Sequence, residues 1–108
     1  MGTLRMKRGD SFSFTACLLG DIPANVIFSF YLRKSAGDSG APLIKKSTTS
    51  GGVLVSGHEL IVTLEPADTL SLPNESRIYS YEITQKDQDG QFFTLDSGDF
   101  QVRANLSR

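Results

Sequence analysis

The chain has no tryptophan, one cysteine and one histidine among its 108 residues. A single cysteine, Cys17, excludes an intrachain disulfide and with it the small, disulfide-stapled class of domain. A single histidine, His58, leaves any imidazole chemistry with one ring at most, so a zinc site would have to recruit carboxylates from scattered strands. Charge of one sign is also lacking: 11 basic side chains face 12 acidic ones, and no run of five like charges occurs. A nucleic-acid footprint needs clustered Lys and Arg. The nearest groupings, Arg5, Lys7 and Arg8 and then Lys45-Lys46, are short and flanked by apolar residues, so solvated strand edges are their expected role. No apolar run approaches a membrane span, and no apolar segment follows the first residues as in a signal peptide. The expectation is a soluble product that stays in the cytoplasm where it is made, unless it is built into something that leaves.

Apolar residues instead recur with a period of two, the pattern of half-buried strands. Over 11–18, Phe12, Phe14, Ala16 and Leu18 share one face, expected to be core, and Ser11, Ser13, Thr15 and Cys17 the other. Over 26–34, Val26, Phe28, Phe30 and Leu32 alternate with Ile27, Ser29, Tyr31 and Arg33. This second face is itself partly apolar, which suits a central strand or one covered on both sides at one end. Further strands are expected at 43–49, 53–55, 60–64 and 77–85, where Tyr79, Tyr81 and Ile83 share a face. Segments 91–95 and 98–104 read as two strands, or as one interrupted at Asp96-Ser97-Gly98 by a bulge. Gly20-Asp21-Ile22-Pro23, the 35–42 stretch, Gly51-Gly52, Ser56-Gly57-His58-Glu59 and Asp89-Gly90 supply turns. Pro66 opens the only helical piece, near residues 66–71, from which Leu70 and Leu72 are expected to plug one end of the core. The fold class is therefore all-β: an immunoglobulin-like antiparallel sandwich of about seven strands with one short helical turn, in a single domain over 1–108.

Several short motifs invite a functional reading, and each has a structural alternative. Cys17 and His58 make a nucleophile and base only if the fold joins them. Asp87-Gln88-Asp89-Gly90 resembles the opening of a calcium loop, but a strand follows where later oxygen ligands belong, so a hairpin turn is expected. Arg8-Gly9-Asp10 spells an adhesion tripeptide, yet the glycine more simply shapes the entry to the 11–18 strand. Asn74-Glu75-Ser76 and Asn105-Leu106-Ser107 match the glycosylation sequon and are expected to be silent without a secretory signal. Glu82, Asp96 and Asp99 are not marked as a catalytic pair. No catalytic, cofactor-binding or metal-binding residue is assigned, and no cofactor is expected.

The order of certain segments carries more. Arg8-Gly9-Asp10-Ser11-Phe12 opens a strand; Leu64-Glu65-Pro66-Ala67-Asp68-Thr69 makes a corner; Tyr79-Ser80-Tyr81 lies in a strand; and Asp89-Gly90, then Leu95-Asp96-Ser97-Gly98-Asp99-Phe100-Gln101-Val102, close the series. Over about residues 8–103 this resembles a family of small Ig-like domains in structural proteins of tailed bacteriophages and prophages, similar to the N-terminal domain of siphophage baseplate upper proteins. The resemblance implies a non-enzymatic virion structural protein (tail, baseplate, adaptor or capsid decoration) acting by protein–protein packing. Its partners would be other virion proteins, in a symmetric homo-oligomer, with no nucleic acid and no membrane. Its place would be the virion, with the host cytoplasm during assembly. Longer relatives carry a receptor-binding or coiled-coil extension after this domain, whereas here the chain ends at Arg108, which favours a cement or joint role. The alternative is a non-viral β-sandwich binding module for adhesion or carbohydrate, with Tyr31, Phe92 and Phe93 as the only aromatic candidates for a sugar face. One or both of the terminal segments 1–7 and 103–108, bearing Leu4, Met6, Ala104 and Leu106, are expected to become ordered on a partner.

Overall fold

A computed structural model describes residues 3–18, 25–35 and 40–105. Eight strands occur there, in the order β1 (Thr3–Lys7), β2 (Phe12–Cys17), β3 (Ile27–Arg33), β4 (Ile44–Ser47), β5 (Val53–Ser56), β6 (Glu59–Leu64), β7 (Arg77–Lys86) and β8 (Phe92–Arg103). One helix, α1 (Pro66–Leu70), links β6 to β7. The strands form a five-stranded sheet, β1-β8-β7-β3-β4, and a three-stranded sheet, β2-β6-β5. This is the strand order of an immunoglobulin sandwich, in which the second, sixth and fifth strands face a sheet built on the last two and the third. The turn expected at Gly20-Asp21-Ile22-Pro23 lies outside the described residues.

Alternation decides what is buried. Phe28, Phe30 and Leu32 of β3, Tyr79, Tyr81 and Ile83 of β7, Phe100 and Val102 of β8, and Leu60, Val62 and Leu64 of β6 form the core between the sheets. Phe30, Tyr81 and Phe100 pack ring against ring at 6.1–6.4 Å. Full burial of a phenylalanine contributes on the order of 1.5–3 kcal/mol, so Phe30 and Phe100, both wholly buried, are large single terms. β3 is central, as its two-sided apolar pattern implied, and Ser29 on its outer face is buried as well.

Several expectations need correction. Residues 3–7 are not an arm awaiting a partner. They form β1, which pairs in parallel with β8 from Thr3↔Asp99 to Lys7↔Arg103 and buries Met6. The sheet is thus not wholly antiparallel. Phe12, Phe14 and Ala16 face the core but are only half buried, because β2 is an edge strand. Leu70 points outward and is exposed, so that Leu72 alone closes that end of the core. The last strand is continuous, and its irregularity falls at Leu95, where Ile83↔Asp96 gives way to Thr84↔Thr94.

One end of the sandwich is tied by a hydrogen-bonded clasp. The Arg8 guanidinium donates to the carbonyl of Leu70 (2.8 Å), the last helical residue, whose carbonyl has no intrahelical partner, and to that of Leu72 just beyond the helix (2.9 Å). The Gly9 N–H donates to the Thr69 hydroxyl at 2.8 Å, both residues being buried. Gly9 has φ 84°, a conformation that disfavours other residues. Asn105 donates its side-chain amide to the Arg8 carbonyl, and Asn74 binds the Asn105 backbone through both its amide oxygen and nitrogen. At the other end of α1, the Asp68 carboxylate accepts the Glu65 N–H at 2.7 Å and lies 2.9 Å from Lys46 Nζ.

The clasp makes Thr69, wholly buried on α1, a stability determinant. Thr69→Val keeps the side-chain shape but removes the hydroxyl that accepts the Gly9 N–H, a loss of about 0.5–1.5 kcal/mol. The urea midpoint is expected to fall with the slope of the transition unchanged; an unshifted midpoint would show that the bond contributes nothing.

Candidate interaction surface

Most motifs singled out in the sequence are consumed by the fold. In Arg8-Gly9-Asp10, the guanidinium and the glycine N–H are both engaged in the clasp, so the tripeptide is not displayed as an adhesive loop. Both sequon asparagines lie in the same clasp, and the Asn105 side-chain amide is committed to the Arg8 carbonyl. Asp87 shapes the β7–β8 turn: its carboxylate accepts the N–H groups of Asp89 (3.0 Å) and Gln91 (2.9 Å), while Gly90 takes φ 84°. Among the described residues no group of three or more His, Cys, Asp or Glu is placed to hold a metal ion. Cys17 stands opposite Glu59 in the β2–β6 ladder, with His58 next to Glu59 in the turn, and all three are exposed. Arg5 and Lys7 are exposed on the edge strand β1. Lys45 and Lys46 diverge: Lys45 lies over the Tyr31 ring at 5.9 Å, and Lys46 pairs with Asp68.

What remains is a surface: the outer face of the five-stranded sheet and the hairpin that continues from it. Register places Arg33, Ser80 and Asp99 in one cross-strand row and Tyr31, Glu82 and Ser97 in the next. Arg33 bonds Glu82 at 3.3 Å and stacks its guanidinium 5.6 Å from the centre of the Tyr31 ring. Arg33, Glu82, Thr94, Ser97 and Asp99 line a shallow groove of about 320 Å³. Glu82 and Asp99 therefore share one concavity, which the sequence did not reveal, because neighbours across a ladder are set by register and not by spacing along the chain.

Toward its tip the hairpin becomes apolar and exposed. Phe92 (61% exposed), Phe93 and Leu95 all lie in the first half of β8, and Ile78 (63% exposed) sits toward the opposite end of the ladder. The bulge at Leu95 explains part of this exposure. It shifts the pairing by one residue, so Phe92 and Thr94 take the outer face opposite Lys86 and Thr84. Lys86 lies over the Phe92 ring, 5.5 Å from its centre. Exposed aromatics gathered on one element mark an interaction surface more often than scattered ones do. Comparison of the chain with models of known families and with curated proteins returns no match.

Beneath this surface, the Tyr81 hydroxyl donates to Asp96 Oδ2 at 3.2 Å. Burial, and then the neighbouring Asp96 charge and the hydrogen bond to it, push the Tyr81 phenol up from 10.0 to about 12. Burial also raises Tyr79, against the lowering effect of Arg77. Because the folded state holds the Tyr81 proton more tightly than the unfolded chain, the stabilisation it contributes is complete below about pH 10 and is lost as pH rises toward 12. Urea unfolding across that interval should show falling stability, and Tyr81→Phe should flatten the decline. An unchanged slope in the variant would dissociate Tyr81 from the effect.

Proposed function

We propose that this protein is a non-enzymatic structural component of a bacteriophage particle, in the tail, baseplate, adaptor or capsid decoration, that acts by packing against other virion proteins. The single observation carrying the packing role is the set of exposed apolar side chains on β8, Phe92, Phe93 and Leu95, held on a rigid ladder. The phage setting rests on the ordered resemblance of residues 8–103 to small Ig-like domains of phage structural proteins. The way the clasp absorbs Arg8-Gly9-Asp10 supports a structural reading of that segment over an adhesive one.

Interfaces concentrate their free energy in a few large side chains, aromatic ones prominent among them. The double variant Phe92→Ser/Phe93→Ser removes two exposed rings and should leave the core intact. Particles purified from the phage or prophage that encodes the chain should contain the wild-type protein at a fixed ratio to a major virion protein, measured by quantitative mass spectrometry. Incorporation of the double variant should fall roughly tenfold or more, the equivalent of about 1.4 kcal/mol. Particles lacking the wild-type chain would overturn the proposal. If glycans then shifted the NMR resonances of Phe92 and Phe93, the carbohydrate-binding alternative would replace it.

A further inference from the structure

We propose that β2 is a strand-pairing edge along which two copies of this chain join, merging their three-stranded sheets into one continuous sheet. The backbone of β2 is used on one side only, since its sole neighbour among the described residues is β6. The Leu18 N–H donates to the His58 carbonyl at 2.7 Å, which extends the register Phe12↔Leu64 to Cys17↔Glu59 by one pair. In an antiparallel ladder the hydrogen-bonded pairs alternate. Phe12, Phe14 and Ala16 therefore direct their N–H and C=O groups toward β6, while Ser13, Thr15 and Cys17 direct theirs away from it, to the open edge.

The other sheet edges carry the devices that block such pairing. Arg5 and Lys7 lie on β1, and Lys45 and Lys46 on β4. β5 is four residues long and bounded by Gly51, Gly52 and Gly57, all at positive φ. From Ser11 to Leu18 there is no charge, no proline and no glycine. The core-facing side chains Phe12, Phe14 and Ala16 are also left half buried along this edge, so an added strand would cover apolar surface as well as satisfy backbone groups.

The absence of charge points to a second copy as the occupant. A two-fold antiparallel pairing centred on Phe14 sets Ser11 against Cys17, Phe12 against Ala16, Ser13 against Thr15, and Phe14 against Phe14 of the second copy. No like charges meet, and Ser11, Ser13, Thr15 and Cys17 supply the hydrogen-bonded pairs. The two Phe14 residues fall at a non-hydrogen-bonded position, where opposite Cα atoms approach to about 4.5 Å and side chains touch. The same symmetry would set Arg5 against Arg5 on β1, or a lysine against its own copy, Lys45 or Lys46, on β4. Strand addition of this kind draws affinity from main-chain bonds and specificity from alternate side chains. The inference concerns the isolated chain and holds whatever particle it belongs to.

Light scattering coupled to size-exclusion chromatography over a concentration series should show a monomer–dimer equilibrium. Thr15→Pro deletes an N–H that faces the open edge, so β2 keeps its bonds to β6, and the dimer dissociation constant should rise at least roughly tenfold, the effect of losing about 1.4 kcal/mol of pairing. Thr15→Lys, an exposed change that adds the guard other edges carry, should do the same should the proline variant fail to fold. Ser11→Cys tests the register. Mild oxidation should give a covalent dimer through Cys17 of the second copy, since opposed Cα atoms in a hydrogen-bonded pair lie about 5.5 Å apart. Within one chain the two positions are about 20 Å apart along an extended strand, so no intrachain bond competes. A wild-type chain that remains monomeric at its solubility limit overturns the proposal, even if β2 then accepts a strand from another protein. A dimer that survives both Thr15 variants, or that Ser11→Cys fails to cross-link, overturns it equally.

Discussion

The Arg8–Gly9 turn and its bonds to the end of α1 join the two sheets by directional contacts outside their apolar core. Arg8 and Gly9 sit between β1, in the five-stranded sheet, and β2, in the three-stranded one. Thr69, Leu70 and Leu72 sit between β6 and β7, which also belong to different sheets. Binding these two crossovers to each other fixes how the sheets meet at that end. Asn74 and Asn105 extend the tie to the end of β8. A β-sandwich core is largely non-directional apolar contact; directional bonds at its end select one relative placement of the sheets.

This accounts for motifs that otherwise look functional. A glycine at φ 84° beside an arginine is what the clasp requires, and the aspartate following them donates its backbone N–H to the Lys7 carbonyl in the same turn. Asn74 serves as a two-sided hydrogen-bonding group, which an amide side chain suits because it carries both donor and acceptor, and Asn105 donates its amide to the Arg8 carbonyl. Lys46 and Asp68 tie the start of α1 to β4 in the same way, and Gly52 is kept small by Lys46: a Cβ there would lie 2.5 Å from the Lys46 Cδ.

The strands and most of the core were legible in the sequence because alternation reports directly which face of a strand is apolar. Phe28, Phe30 and Leu32, and Tyr79, Tyr81 and Ile83, are buried as their spacing implied. Alternation does not report where a strand lies in its sheet, and the misreadings follow from that. Phe12 and Phe14 share the pattern of Phe28 and Phe30, yet stay half exposed at an edge. Leu4 and Met6 also alternate with polar neighbours, so the signal for β1 was present. Its parallel partner lies at the far end of the chain, at Asp99–Arg103, and no local turn announces such a pairing. The groove shared by Glu82 and Asp99 was invisible for the same reason, as it depends on register across β7 and β8. The bulge was expected at Asp96-Ser97-Gly98 but falls just before it, at Leu95, where the extra residue is left unpaired.

The division of strands between the sheets has one further physical consequence. A first strand in this topology can add to the last strand of one sheet or to the second strand of the other. Here β1 joins β8, making one sheet five strands wide and leaving the other at three. That choice buries Met6 and brings Leu4 against the core, and it satisfies the outer side of β8. It also withholds a neighbour from β2, whose aromatic residues still project between the sheets. The charged residues of the first strand, Arg5 and Lys7, guard the edge of the wider sheet, while the narrower sheet keeps an edge of serine, threonine and cysteine. Unequal sheets thus place unequal demands on their edges, and the residues at each edge differ accordingly.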